Sequence, residues 1–202
     1  MKSINHLFQA RSGEDYQRYN FDSFLKKIKF SYDVPSIHVA GSNGKGSVCY
    51  YLSSIYQKAG YKVGRFISPH LVEINESISV NNVNITDEEL TAIINNEIKL
   101  INKFELSSFE VLTYVAFTYF QKQKCDIAII ECGMGGEVDA TNIFEPILSI
   151  ITSISLEHTA FLGKSISEIA EQKGGIIKDE IPLLIVNKYR AINQYSILIL
   201  DA

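Results

Sequence analysis

One short stretch of this sequence is built from the residue types that bind phosphate. Gly41-Ser42-Asn43-Gly44-Lys45-Gly46-Ser47 follows the apolar run Ser36 to Ala40 and precedes a helix-forming segment. Small residues let the backbone close around an anion, so that successive N–H groups and the helix N-terminus point at it, while Lys45 supplies a mobile cation for terminal phosphate oxygens. The nucleotide-binding set is therefore Asn43, Gly44, Lys45, Gly46 and Ser47, and the Ser47 hydroxyl is placed to reach Mg²⁺. The spacing departs from G-x-x-x-x-G-K-[ST], being shorter at the front and carrying Gly46 directly after the lysine. On these residues alone the alternative is a glycine-rich turn with a solvated lysine. A strand before the loop and a helix after it favour the nucleotide, although the loop by itself names no reaction.

Three further polar residues fall at the ends of predicted elements. Glu131 closes an apolar run and is followed by Gly133-Met134-Gly135-Gly136, read as a flexible segment that lets substrate or metal approach the backbone. His158 follows the next strand, and Lys173 closes a helix begun at Ser165. In a parallel sheet these strand ends converge on the edge that carries the phosphate loop. Glu131 and His158 are thus candidates for one Mg²⁺ site, although Mg²⁺ prefers oxygen ligands to imidazole. Taken singly, His158 reads as a polar loop residue, Lys173 as a solvated lysine complementing a helix end, and Cys132 as a small buried residue.

The elements that must position these groups alternate between short apolar runs and longer amphipathic ones. Ser36 to Ala40, Val63 to Ile67, Asp126 to Glu131, Ile147 to Thr152 and Leu183 to Val186 read as strands. Ile127 to Ile130 is apolar without alternation, as in a parallel strand covered on both faces. Thr86 with Glu89 and Ser165 with Glu168 have the spacing of capping boxes, Gly60 is a helix stop, and Glu76 to Ile85 alternates like a hairpin centred on Asn81-Asn82. The pattern predicts an α/β fold: a three-layer, P-loop-type sheet of mostly parallel strands. The 202 residues are 46% apolar, which suffices for a packed core, and 19 basic against 23 acidic residues leave no basic stripe for nucleic acid or an anionic membrane. Cys49, Cys125 and Cys132 form no C-x-x-C pair and suit reduced core thiols in the cytosol. Met1 to Tyr16 lacks the apolar run of a signal peptide, and no later run approaches a membrane span.

Six segments together resemble the folylpolyglutamate and dihydrofolate synthases, members of the wider Mur ligase superfamily. They are His38 to Ser47 (HVAGSNGKGS), Ser68 to Leu71 (SPHL), Ser108 to Thr113 (SFEVLT), Glu131 to Asn142 (ECGMGGEVDATN), Thr152 to His158 (TSISLEH) and Gly175 to Lys178 (GIIK), in that order. The resemblance runs from about Ile37 to about Val186 and implies a Mur-ligase-like central domain. It implies an ATP-dependent ligase joining L-glutamate to dihydropteroate, to a reduced folate, or to both, through an acyl phosphate. Carried over position by position, Lys45, His158 and Lys173 fall at catalytic positions, and Ser47, Ser68, Glu131 and His158 at ligands of two Mg²⁺ ions. Lys173 matches a lysine that relatives carbamylate. Ser107, Phe109, Asp139 and Ala140 match positions that contact the pterin-bearing substrate.

Departures from the family pattern bear on substrate preference before ATP binding. Ser42 stands where threonine is usual, Ser77 and Glu137 where arginine is frequent, Ser107 and Ser108 in a Thr-Tyr-Phe-Glu context, and Gln172 to Gly175 in a Lys-Ala-Gly one. The resemblance also implies a longer enzyme: residues 1–186 would form an incomplete ATP-binding domain and 187–202 a divergent tail, with the C-terminal domain absent. A monomeric, cytosolic protein is expected. The competing readings are a nucleotide-binding remnant without turnover and a peptidoglycan-type Mur ligase acting on a UDP-linked acceptor.

Overall fold

The computed structural model describes residues 18–185, so the polar N-terminal stretch, Val186 and the tail from Asn187 to Ala202 lie outside the described residues. Seven strands form one sheet: β1 Ser36–Ala40, β2 Val63–Phe66, β3 Ile78–Val80, β4 Val83–Asn84, β5 Ile127–Glu131, β6 Leu148–Ile151 and β7 Leu183–Ile185. Their spatial order is β4-β3-β2-β5-β1-β6-β7. β1 pairs in parallel with β5 and β6, β2 with β5, and β6 with β7, while β3 and β4 add an antiparallel edge. The helices are α1 Tyr19–Lys27, α2 Lys45–Lys58, α3 Asp87–Lys103, α4 Ser108–Lys122 and α5 Ile166–Gly174.

The mostly parallel α/β sheet is as expected from the apolar runs, with each strand trimmed by no more than about a residue at either end. The alternating stretch from Glu76 folds as the β3–β4 hairpin, and its turn residues Asn81 and Asn82 have φ of 50° and 63°. Two consecutive left-handed residues make the two-residue turn whose twist matches the flanking strands, a conformation asparagine tolerates. Thr86 and Ser165 cap α3 and α5 with Glu89 and Glu168 in reciprocal boxes. A third box, Ser107 with Glu110, opens α4.

Strand parity divides the core. Ile37, Val39, Ile127, Ile129 and Ile150 pack on the α2 face with Cys49. The opposite face carries two clusters. Phe66, Ala128 and Ile130 meet Phe117 and Phe120 of α4, Ile94 of α3 and Phe24 of α1. Ala40, Ile151, Leu183 and Ile185 meet Ile169 and Ala170 of α5. Each fully buried phenylalanine contributes roughly 1.5–3 kcal/mol relative to exposure, so α4, buried along most of its length, anchors this layer. Cys49, Cys125 and Cys132 are buried and free. No helix among the described residues is long and apolar enough to cross a membrane.

The chain leaves β1 towards β2 on one side and later returns to lay β6 on the other. Such a switch point opens a crevice beyond the carboxyl ends of the strands, and the loop Gly41 to Gly44 lies there. On the sheet itself, Gly64 of β2 is directly beneath Phe120, where an added Cβ would stand 2.7 Å from the ring. Gly64→Ala is expected to destabilise the chain by about 1–3 kcal/mol through overpacking, read as a lower urea midpoint with unchanged m-value.

Candidate nucleotide and metal site

The phosphate loop is shaped largely by the segment after β6. Ser42 donates its backbone N–H to Ser153 O at 2.8 Å, Asn43 N–H donates to Ser153 Oγ at 2.9 Å, and Thr152 Oγ1 donates to Asn43 O at 2.7 Å. The Ser42 hydroxyl accepts from Ser155 N at 3.0 Å. Gly41 has φ of 143°, and a Cβ there would lie 1.9 Å from Thr152 Oγ1, so no other residue fits against this seam. Lys45 at the start of α2 folds back, its Nζ donating to Gly41 O at 2.9 Å. Asn43, Gly44 and Ser47 are exposed at the mouth of the loop, and Gly46 and Lys45 are half-buried.

Glu131 shares the parity of Ile127 and Ile129 and therefore faces α2, next to the loop. A Cβ on Gly46 would come 3.4 Å from its Oε2, so glycine after the lysine leaves room for this carboxylate. Glu131 is 4% exposed, and its Oε2 accepts one bond, 3.2 Å from Ser68 N. Burial pushes its pKa up to about 7 despite the Ser68 bond and the attraction of Lys45. A buried carboxylate with spare lone pairs beside a phosphate loop fits a divalent cation: the cation would supply the charge that raises the cost of ionisation when missing.

The second group is different. His158 is exposed, with φ of 44°, a left-handed conformation rare outside glycine and associated with functional loops. Lys173 is 1% exposed, not the solvated lysine its place at a helix end suggests, because its Nζ pairs with Glu157 Oε1 at 2.6 Å. Burial works against ionised Glu157, but Lys173, Ser42 and Lys45 outweigh it and hold its pKa below the usual carboxylate range. An ammonium repels a cation, so a metal in contact with Lys173 fits only once that lysine is modified or displaced. No group of three or more His, Cys, Asp or Glu residues able to hold a metal is gathered among the described residues. The structure brings Glu131, Ser68 and the loop together.

The substrate positions are bonded inward. Ser107 Oγ accepts from Glu110 N at 3.3 Å as the α4 cap. Asp139 is buried, its carboxylate accepting from Met134 N at 2.8 Å and from Thr141 N and Oγ1 at 2.9 and 2.5 Å. Burial raises the Asp139 pKa, and the Thr141 and Met134 bonds counter it. Ala140 is fully buried, and half-buried Phe109 stacks on Phe66 with centroids 5.8 Å apart. The Gly133 to Gly136 segment is a packing device, not the flexible one expected. A Cβ on Gly133 would meet Phe109 at 2.5 Å, and one on Gly136 would meet Lys173 O at 2.8 Å.

Sequence reasoning missed the supports. Arg18 Nη1 donates to Asn142 O at 2.9 Å and to Asp139 O at 3.4 Å, clamping the loop after the glycines. His38 lies beneath that loop, with Nε2 2.9 Å from Thr141 Oγ1, and burial lowers its pKa to about 3, so it is neutral. Neither carries a local signal. Glu157 carried one: an acidic residue next to His158 and one helix away from Lys173.

The chain matches the Mur ligase middle domain family over residues 39–198. It is 45% identical over 158 residues to the dihydrofolate synthase/folylpolyglutamate synthase of Bacillus subtilis, covering 75% of this chain and 37% of that one. The dihydrofolate synthetase of Saccharomyces cerevisiae is 42% identical, with 75% and 36% covered. Among solved structures, Escherichia coli FolC in complex with ADP superposes with TM-score 0.84 at 32% identity, covering 91% of this chain and 44% of that one. An FPGS-AMPPCP-folate complex gives 0.81 at 31%, covering 89% and 46%. The chain thus spans less than half the length of each of these relatives.

Glu131 yields a prediction for the ligand-free chain. Its folded pKa of about 7 lies above its ordinary value of 4.5, so the native state binds the extra proton between those pH values. Stability is therefore expected to fall as pH rises from about 4.5 to 7, on the order of 2 kcal/mol from this group. Glu131→Gln should flatten that part of the profile, measured by urea unfolding at pH 5 and 7.5.

Proposed function

The chain belongs to the Mur ligase middle domain family, and from that premise we propose that it is the nucleotide-binding part of an ATP-dependent ligase that joins L-glutamate to dihydropteroate, to a reduced folate, or to both. The observation that carries this reading is the phosphate loop itself, seated at the switch point of the sheet with Lys45 at its helix end and buried Glu131 against Gly46. The curated relatives named for these activities, and the FolC structure with DHPP and ADP, support the choice of acceptor.

A carboxylate is a poor acylating agent. In the proposed reaction its oxygen takes the γ-phosphoryl group of ATP and ADP leaves; the glutamate amine then forms the C–N bond, expelling phosphate and losing a proton. Little covalent work falls to the protein, which positions the groups and balances charge. The N–H groups of Asn43 to Ser47 would face the phosphates, and Lys45 would exchange Gly41 O for a phosphate oxygen. Glu131, Ser47 and Ser68 would hold one Mg²⁺, and His158 with carbamylated Lys173 a second. When bound, these ions neutralise phosphate charge. The carbamate would form when Lys173 gives up its ammonium proton and the neutral amine nitrogen bonds CO₂ with release of a second proton, replacing a repelling cation by an anion. Phe109 would offer its ring to the pterin, with Ser107, Asp139 and Ala140 shaping the wall around it. Three buried, free thiols suit a reducing compartment and support a cytosolic protein.

The test is acceptor-dependent ADP release by the intact polypeptide with ATP, Mg²⁺ and L-glutamate, offering dihydropteroate, a reduced folate or a UDP-muramyl acceptor. Release with a folate-type acceptor is expected, whereas release with the UDP-linked acceptor alone would move the protein to the peptidoglycan branch. Lys45→Ala should weaken ATP binding at least tenfold, about 1.4 kcal/mol, with little change in melting temperature. Unchanged affinity would remove the loop from the mechanism.

A further inference from the structure

The site contains a charged contact to which the proposed chemistry gives no task. Glu157 stands on the segment whose backbone and hydroxyls are hydrogen-bonded to the phosphate loop through Ser42, Ser153 and Ser155. On one side its carboxylate holds the buried Lys173 ammonium at 2.6 Å. On the other it feels the Ser42 hydroxyl and the Lys45 ammonium. One carboxylate thus has the loop to one side of it and the end of α5 to the other. Without it, Lys173 would be a buried cation with its counter-charge removed, a costly arrangement.

We propose that, while Lys173 is uncarbamylated, Glu157 is a positioning residue that fixes the Lys173 ammonium and cancels its charge, so that the loop selects the nucleotide as its magnesium complex over the free polyanion. The inference rests on the reading of the loop as an ATP site. With the pair intact, Glu157 and Lys173 together add almost no net charge, leaving Lys45 as the loop's own cation against a tetra-anionic nucleotide. Mg²⁺ then makes up the deficit. Neutralising Glu157 exposes a second cation to the phosphates and favours the metal-free form, because charges in a partly dry site act over several ångströms.

The experiment uses the 202-residue chain in buffer stripped of carbon dioxide, so that Lys173 stays an ammonium paired with Glu157. A fluorescent, non-hydrolysable ATP analogue is titrated with Mg²⁺ and with EDTA into wild type, Glu157→Gln, Lys173→Met and the double variant, and each is also melted without ligand. Both single variants should melt several degrees lower, and the double variant should recover most of that loss. Glu157→Gln should reduce the preference for the magnesium complex about tenfold, and the double variant should restore it. A structural role alone would weaken both nucleotide forms equally, so an unchanged ratio in folded Glu157→Gln overturns the selectivity. Absence of thermal recovery in the double variant overturns the pairing. If Glu157→Gln does not fold, Glu157→Asp, which keeps the charge but withdraws it by one methylene, is expected to move the ratio the same way by less; an unmoved ratio there is equally fatal. Wild type that binds neither form overturns the nucleotide reading and the selectivity with it, while the thermal cycle still decides the pair.

Discussion

The bond from Ser42 N–H to Ser153 O at 2.8 Å joins two loops that are distant in sequence and adjacent at the switch point of the sheet. It works together with the Asn43 to Ser153 Oγ and Thr152 Oγ1 to Asn43 O bonds, and all three require the absence of a side chain at Gly41. A phosphate loop that had to be organised by its ligand would lose binding energy in ordering; one organised by its neighbour does not. The same seam fixes where the residues after β6 run, and so places Glu157 and His158 near the loop. The sheet register beneath it, Ala40 beside Ile151, sets the height at which the two loops meet.

Charge at the site is arranged in two unlike halves. Glu131 is buried with a single hydrogen bond shown and a pKa raised to about 7, so its anion is undercompensated as the protein stands. Lys173 is buried with its full counter-charge at 2.6 Å. The first half gains from a cation and the second is closed to one. A cation beside Glu131 would therefore need no rearrangement, whereas one in contact with Lys173 would require its pair with Glu157 to be broken or the ammonium to change its charge.

Much of the fold was legible because parallel strands leave apolar runs and capping boxes leave local polar spacing. Ser36 to Ala40 and the Asn81-Asn82 turn are read directly from residue type. The phosphate loop was legible for the same reason, its chemistry being contiguous. The resemblance marks Ser107 only as a substrate position, yet Glu110 three residues on gives it the spacing of a cap, and locally the cap is what its hydroxyl serves. The Gly133 to Gly136 run misled because glycine signals both freedom and close approach, and only the neighbours decide; here they are the Phe109 ring and the α5 carbonyls. Arg18 and His38 act across more than a hundred residues of chain, and such contacts have no periodicity to reveal them.

The glycine run also ties the two ends of the site together. Gly133 underlies Phe109, which stacks on Phe66, while Gly136 rests on the carbonyl of Lys173 and Glu137 N–H donates to Gln172 O at 2.9 Å. Arg18 and the Asp139 carboxylate hold the segment between them, and Asn142 Nδ2 bonds Gly175 O at 3.0 Å. With no slack at either contact, an adjustment of the last turn of α5 that repositions Lys173 must shift the backbone supporting Phe109, because close-packed surfaces cannot slide apart without losing their contacts. The nucleotide end and the aromatic wall proposed for the acceptor therefore share one rigid connector. Its glycines set how closely the two can approach, which is why a residue with a side chain at Gly133 or Gly136 would separate them as well as destabilise the fold.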